Sequence, residues 1–178
     1  MQERLLHDFL GIKRKLDKEI HSNGAVDFIW NPPYIPGNRL GENGTPNNWE
    51  PEAHIEAFLN PLVDNQYVTK EVVGEDTSGK YNVYKFTFEP QNYHKTLLIT
   101  SCIHGNETTG FFDMCHIVNL LVNEWEKYPQ LTYLRKNVRL IYVPMVNPWG
   151  FANQKRENVN NVDLNRNFDY NWKAGKGT

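Results

Sequence analysis

A chain of 178 residues is long enough for one domain with a real core and some additional material. Its 19 Lys and Arg against 21 Asp and Glu leave a net charge of −2, so no strong field draws it to nucleic acid or an anionic membrane. No apolar run approaches the roughly 18 residues of a membrane span, and Met1-Gln2-Glu3-Arg4 lacks the apolar core of a secretory signal.

Residues 2 to 21 read as an amphipathic helix, because Leu5, Phe9, Ile12, Leu16 and Ile20 recur at spacings of three and four. That stripe can dock on the body of its own domain or self-associate with a copy of itself. The basic cluster Lys13-Arg14-Lys15 is followed by Asp17 and Glu19 and reads as a solvated helix face. From Ser22 to Asn48 the chain is rich in Gly, Asn and Pro, the composition of an extended arm or linker. Residues 1–47 are therefore set apart from a body spanning 48–178.

Pro51 opens a short helix to about Val63, with Ile55, Phe58, Leu59 and Leu62 on one face. Tyr67 to Val73 and Tyr81 to Phe88 follow as strands around a hairpin turn at Asp76-Thr77-Ser78-Gly79. Leu97 to Ile103 has the length and composition of a buried strand. It stops at Gly105-Asn106 and gives way to a helical pattern from Glu107 to about Trp125. Cys102 and Cys115 fall at buried positions and are expected as reduced thiols. His116 reads as an ordinary helix residue. Arg139 to Val146 is a further strand, ended by Asn147-Pro148-Trp149-Gly150-Phe151. A polar loop over 152–162 leads to Asp163-Leu164-Asn165-Arg166-Asn167-Phe168. The order β-β-β-α-β defines an α/β class with a mixed sheet.

His104 stands at the C-terminal lip of a strand and Glu107 at the mouth of the next helix, the crevice where open α/β sheets bind ligands. An imidazole and a carboxylate converging there could form half of a zinc site.

Three elements taken together resemble the zinc carboxypeptidase family, the carboxypeptidase A-like metallopeptidases. They are His104 with Glu107, the Asn147-Pro-x-Gly-Phe151 turn, and the run from Arg156 to Phe168 that ends in Asp-Leu-Asn-Arg-Asn-Phe. The resemblance covers residues 48 to 172 and implies a mixed sheet with helices on both faces, here incomplete. It implies Zn2+ held by His104 and Glu107, with Arg156 polarising the scissile carbonyl. Asn165 and Arg166 would hold the terminal carboxylate of a peptide, or of a cell-wall (peptidoglycan) peptide. A planar guanidinium fork matches a carboxylate in a way Lys cannot reproduce. The family's third ligand, a His, and its general base, a Glu, lie further along than Thr178, and no His follows His116. These residues alone are thus expected to have negligible peptidase activity, as the front part of a longer polypeptide with an exposed sheet edge.

Two other readings remain at this point. The aspartoacylase and succinylglutamate desuccinylase group of acyl-amino-acid deacylases carries a similar His-Gly-Asn-Glu start and Asp-x-Asn-Arg motif. A non-catalytic structural module, such as a virion component displayed on the N-terminal helix, is the third. No signal is read in these residues, so a cytoplasmic or virion-associated location is expected ahead of a secreted one, although a signal removed from a longer precursor would leave no trace.

Overall fold

The computed structural model describes residues 49–169 of the protein. The expected helix over 2–21, the arm over 22–48 and the tail from 170 lie outside the described residues.

Among the described residues four strands form one sheet in the order β1-β2-β4-β3. Strand β1 (Val68–Glu75) pairs antiparallel with β2 (Asn82–Phe88). Their connection is the expected turn, in which Asp76 Oδ1 accepts the Ser78 N–H at 3.1 Å and Gly79 takes a φ of +68°. Strand β2 is antiparallel to β4 (Val138–Val143), whereas β3 (Lys95–Thr100) runs parallel to β4. The sheet is therefore mixed, as expected.

Between β3 and β4 the chain forms α2 (Thr109–Asn123) and α3 (Pro129–Asn137); α1 (Pro51–Phe58) precedes the sheet. Helix α2 buries Phe111, Cys115, Val118, Leu121 and Val122, a stripe at spacings of three and four. This stripe meets the sheet face formed by Phe86, Phe88, Leu140 and Tyr142, and all nine side chains belong to one core. Phe111, Phe112, Phe151 and the ring of His54 add edge-to-face contacts with centroids 5.0–6.2 Å apart beside it. Arg135 in the last turn of α3 lies 3.3 Å above the Tyr67 ring. Burial pushes the Tyr67 hydroxyl up to about 12, partly offset by that guanidinium.

The structure departs from the local expectations at four places. The apolar run after Thr96 is exposed rather than buried: among the described residues β3 pairs with β4 alone, and Leu97 and Leu98 are 44 % and 61 % exposed. Helix α2 starts at Thr109, so Glu107 lies in the turn ahead of it. Helix α3 was not anticipated, since none of its residues is buried and its apolar stripe is weak. The Asn-Pro-Trp-Gly-Phe turn proves to open a short helix, α4 (Pro148–Asn153).

Phe86 has no exposed surface and Val72 is 56 % exposed. Urea unfolding should show Phe86→Ala costing about 3–5 kcal/mol and Val72→Ala within about 0.5 kcal/mol of the parent.

Candidate active site

Parallel pairing brings the C-terminal ends of β3 and β4 side by side, and the loops that follow build the site. Beyond the strands the pairing continues through Ser101 N–H to the Val143 carbonyl, Val146 N–H to the Ser101 carbonyl and Asn147 N–H to the Cys102 carbonyl, at 3.0–3.1 Å. Cys102 then takes a φ of +52°, a left-handed conformation that costs a non-glycine residue on the order of 1 kcal/mol. The chain turns there and presents His104.

Gly105 fixes how close this turn lies to α4. A Cβ on Gly105 would stand 1.9 Å from the Gly150 carbonyl carbon and 2.2 Å from the Phe151 nitrogen, both main-chain atoms that cannot give way. The Asn106 N–H donates to the Lys155 carbonyl at 3.1 Å, and the Lys155 N–H to the Gly150 carbonyl at 2.8 Å. The segment carrying Arg156 is thereby bound to both the turn and α4.

His104 is buried between two carboxylates. Its Nδ1 is 3.0 Å from Glu107 Oε1, and its Nε2 is 3.0 Å from Asp163 Oδ1. Arg156 donates through Nε to Asp163 Oδ2 at 3.0 Å and through one terminal nitrogen to Glu107 Oε1 at 3.4 Å. The imidazole and guanidinium therefore share the same two acids. Glu107 is the open member, with a side chain 63 % exposed against 7 % for His104, so the pair meets solvent on its side.

Asp163 has no place among the residues singled out from sequence. Its signal was in the Asp-Leu-Asn-Arg motif, where it reads as a turn acid; it does cap the short 3₁₀ turn Leu164–Arg166 by accepting the Asn165 N–H. Desolvation, the largest single influence, pushes its carboxyl up. Hydrogen bonds from His104 and Arg156, the Arg156 charge and the Asn165 amide outweigh that and hold it below its ordinary 3.8.

His104, Glu107 and Arg156 are thus brought together. Asn165 and Arg166 follow directly on Asp163 and are exposed; the Arg166 guanidinium turns back onto the Asn165 carbonyl at 3.1 Å. No hydrogen bond or ion pair joins Arg166 to His104, Glu107 or Arg156 among the described residues. Both cysteines are free and buried, as expected. Burial pushes the Cys102 thiol up to about 12, which makes it a poor metal ligand at neutral pH.

A histidine nitrogen and a carboxylate oxygen facing each other, with the second ring nitrogen backed by an acid, suit a zinc ligand pair and its supporting shell. Among the described residues no three His, Cys, Asp or Glu side chains converge to make a complete metal set.

Sheet order and site geometry together define a carboxypeptidase-like α/β domain, and comparison with known proteins agrees. Carboxypeptidase M of Mus musculus is 43 % identical over 75 residues, covering 37 % of this chain and 17 % of that protein. Carboxypeptidase SOL1 of Arabidopsis thaliana is 39 % identical over 66 residues, covering 37 % and 13 %. The chain therefore spans less than a fifth of the length of these two relatives. The fold is shared with a putative metallopeptidase from Shewanella amazonensis SB2B at a TM-score of 0.56 and 24 % identity, covering 78 % of this chain and 47 % of that one. It is shared also with a putative carboxypeptidase A from Shewanella denitrificans OS-217 at 0.57 and 20 %, covering 66 % and 31 %. The chain belongs to the family described as "Protein of unknown function (DUF2817)", whose model matches residues 62–174.

Two outcomes test this geometry. Gly105→Ala should destabilise the fold by about 3 kcal/mol or more in urea unfolding, the upper end for overpacking. Gly110→Ala should be neutral or stabilising by about 0.5–1 kcal/mol, since its Cβ would meet only the Ser101 side chain at 3.6 Å. The depressed Asp163 carboxyl contributes stability that is fully present above its ordinary 3.8 and lost as the pH falls through its lower folded value. Unfolding measured from pH 6 down to 2 should show that loss only below the ordinary value, and Asp163→Asn should remove it.

Proposed function

We propose that this chain is the part of a zinc-dependent metallocarboxypeptidase that supplies two metal ligands, the carbonyl-polarising arginine and the grip on the substrate's C-terminal carboxylate. The reading is carried by His104, whose Nδ1 faces Glu107 while its Nε2 is held by Asp163. Nδ1 and the Glu107 carboxylate would hold Zn2+. Asp163 stands on the far side of the ring and would act as the outer acid that sets its orientation. When bound, the metal supplies Lewis acidity towards a carbonyl and makes water more acidic.

This chain's residues do the rest of their work by charge and position. As water adds to the scissile carbonyl, negative charge builds on its oxygen. Arg156, which lies beside Glu107, would receive that charge, a role worth on the order of 10²–10³ in rate for one donor. The C–N bond would then break, and the amine would leave with the proton given up by the attacking water, relayed by a base from outside this chain. Asn165 and Arg166 lie exposed next to Asp163 and would bind the free carboxylate of the last residue, confining cleavage to the chain end. A third ligand and the general base would come from outside this chain. The substrate class is a peptide with a free C-terminus, cell-wall stem peptides included.

Zinc titration of the 178-residue chain tests the ligand assignment. One weak site is expected, lost in His104→Ala and Glu107→Gln and weakened about ten- to hundredfold in Asp163→Asn. The 178 residues by themselves should release no amino acid. The longer polypeptide containing them should release C-terminal residues in a zinc-dependent way and leave C-terminally amidated peptides and acylated amino acids intact. Hydrolysis of amidated and free peptides at equal rates would sink the carboxylate role of Arg166.

A further inference from the structure

The Asn147-Pro148-Trp149-Gly150-Phe151 turn carries much of the resemblance, yet it supplies no group to the ligand pair or to carboxylate binding. Asn147 is only 2 % exposed, and its side chain bonds entirely to main-chain atoms of the site. Its Oδ1 accepts the Gly150 N–H at 2.9 Å. Its Nδ2 donates to the Glu157 carbonyl at 3.0 Å and, at the longer distance of 3.4 Å, to the Arg156 carbonyl. Its own N–H donates to the carbonyl of Cys102, two residues before His104. One buried residue thus touches both the strand tip that bears the ligand pair and the segment that bears Arg156.

Capping α4 needs only the oxygen of that amide. The nitrogen serves a different segment. On the other side of Arg156, Lys155 is clamped between Asn106 and Gly150. With its main chain held on both flanks, Arg156 retains only side-chain freedom, and its guanidinium spans Asp163 and Glu107. We propose that Asn147 is the positioning residue for Arg156: its Nδ2 fixes the Arg156–Glu157 backbone against the strand tip and so holds the guanidinium beside Glu107 and Asp163. This rests on the role given to Arg156 in the proposed function.

Asn147→Ser keeps a capping oxygen and removes the amide donor; Asn147→Asp keeps size and oxygen and also removes the donor. In the full chain, NMR would follow solvent exchange of the Arg156 Nε–H, which donates to Asp163, against the amides of Val118 and Leu121 in α2. Both variants should speed the Arg156 exchange by at least about fivefold, the worth of one neutral hydrogen bond, and leave the α2 amides within twofold. Pro148→Ala, which spares the Asn147 bonds, should match the parent. An unchanged Arg156 rate, equal acceleration throughout α2, the same acceleration in Pro148→Ala, or failure of both Asn147 variants to fold would overturn the proposal. Zinc uptake is read in the same samples. If the parent takes up none, the metal assignment fails, and the exchange rates still decide whether Asn147 holds Arg156.

Discussion

Everything at the site depends on a main chain passing against a main chain with no side chain between. Gly105 and Gly150 approach so closely that one added methyl would collide with backbone. That approach lets the turn after β3 lie against the first turn of α4, within reach of Lys155 and Asn147. Remove it and Arg156 and Asp163 have no reason to stand next to His104. The polar contacts orient groups that this steric permission has already brought together.

The charges then sort themselves by burial. His104 is enclosed, and an enclosed imidazole with two polar nitrogens must have both satisfied. Asp163 on one side and Glu107 on the other do this. Each acid also meets Arg156, so no carboxylate faces the imidazole without a cation nearby. Of the four groups Glu107 is the most open to solvent, and it can exchange its Arg156 and His104 contacts for a cation at the least packing cost.

Much of this was legible in the sequence. The stripe of α2, the hairpin around Asp76 and the apolar-to-polar break at Gly105 are local signals, and each lies within a few residues of where it was expected. His104, Glu107 and Arg156, which three motifs in order bring forward, do lie in contact, Glu107 with each of the other two. Asp163 was not singled out, because its partner is 59 residues away and nothing local tells a turn-capping acid from one that also holds an imidazole. The exposure of β3 was misread for a related reason: an apolar run reports hydrophobicity, whereas burial depends on how many neighbours the strand has. Helix α3 escaped because its stripe is weak: Leu131 and Leu134 only partly bury against the core and none of its residues is fully buried.

The edge position of β3 bears on how the site is braced. Among the described residues β3 pairs with β4 alone, and a strand paired on one side leaves half of its backbone groups to solvent and opens more easily than a central one. Yet β3 delivers His104. The support must therefore come from the β4 side, where the contacts are dense. Val143, Val146 and Asn147 bond to Ser101 and Cys102, Lys155 bonds to Asn106, and the Ser101 hydroxyl meets the Tyr142 hydroxyl at 2.9 Å. A two-sided strand could tolerate a looser loop beyond β4. Here the loop is the brace, which is why a buried asparagine with its whole amide committed to backbone stands at its root.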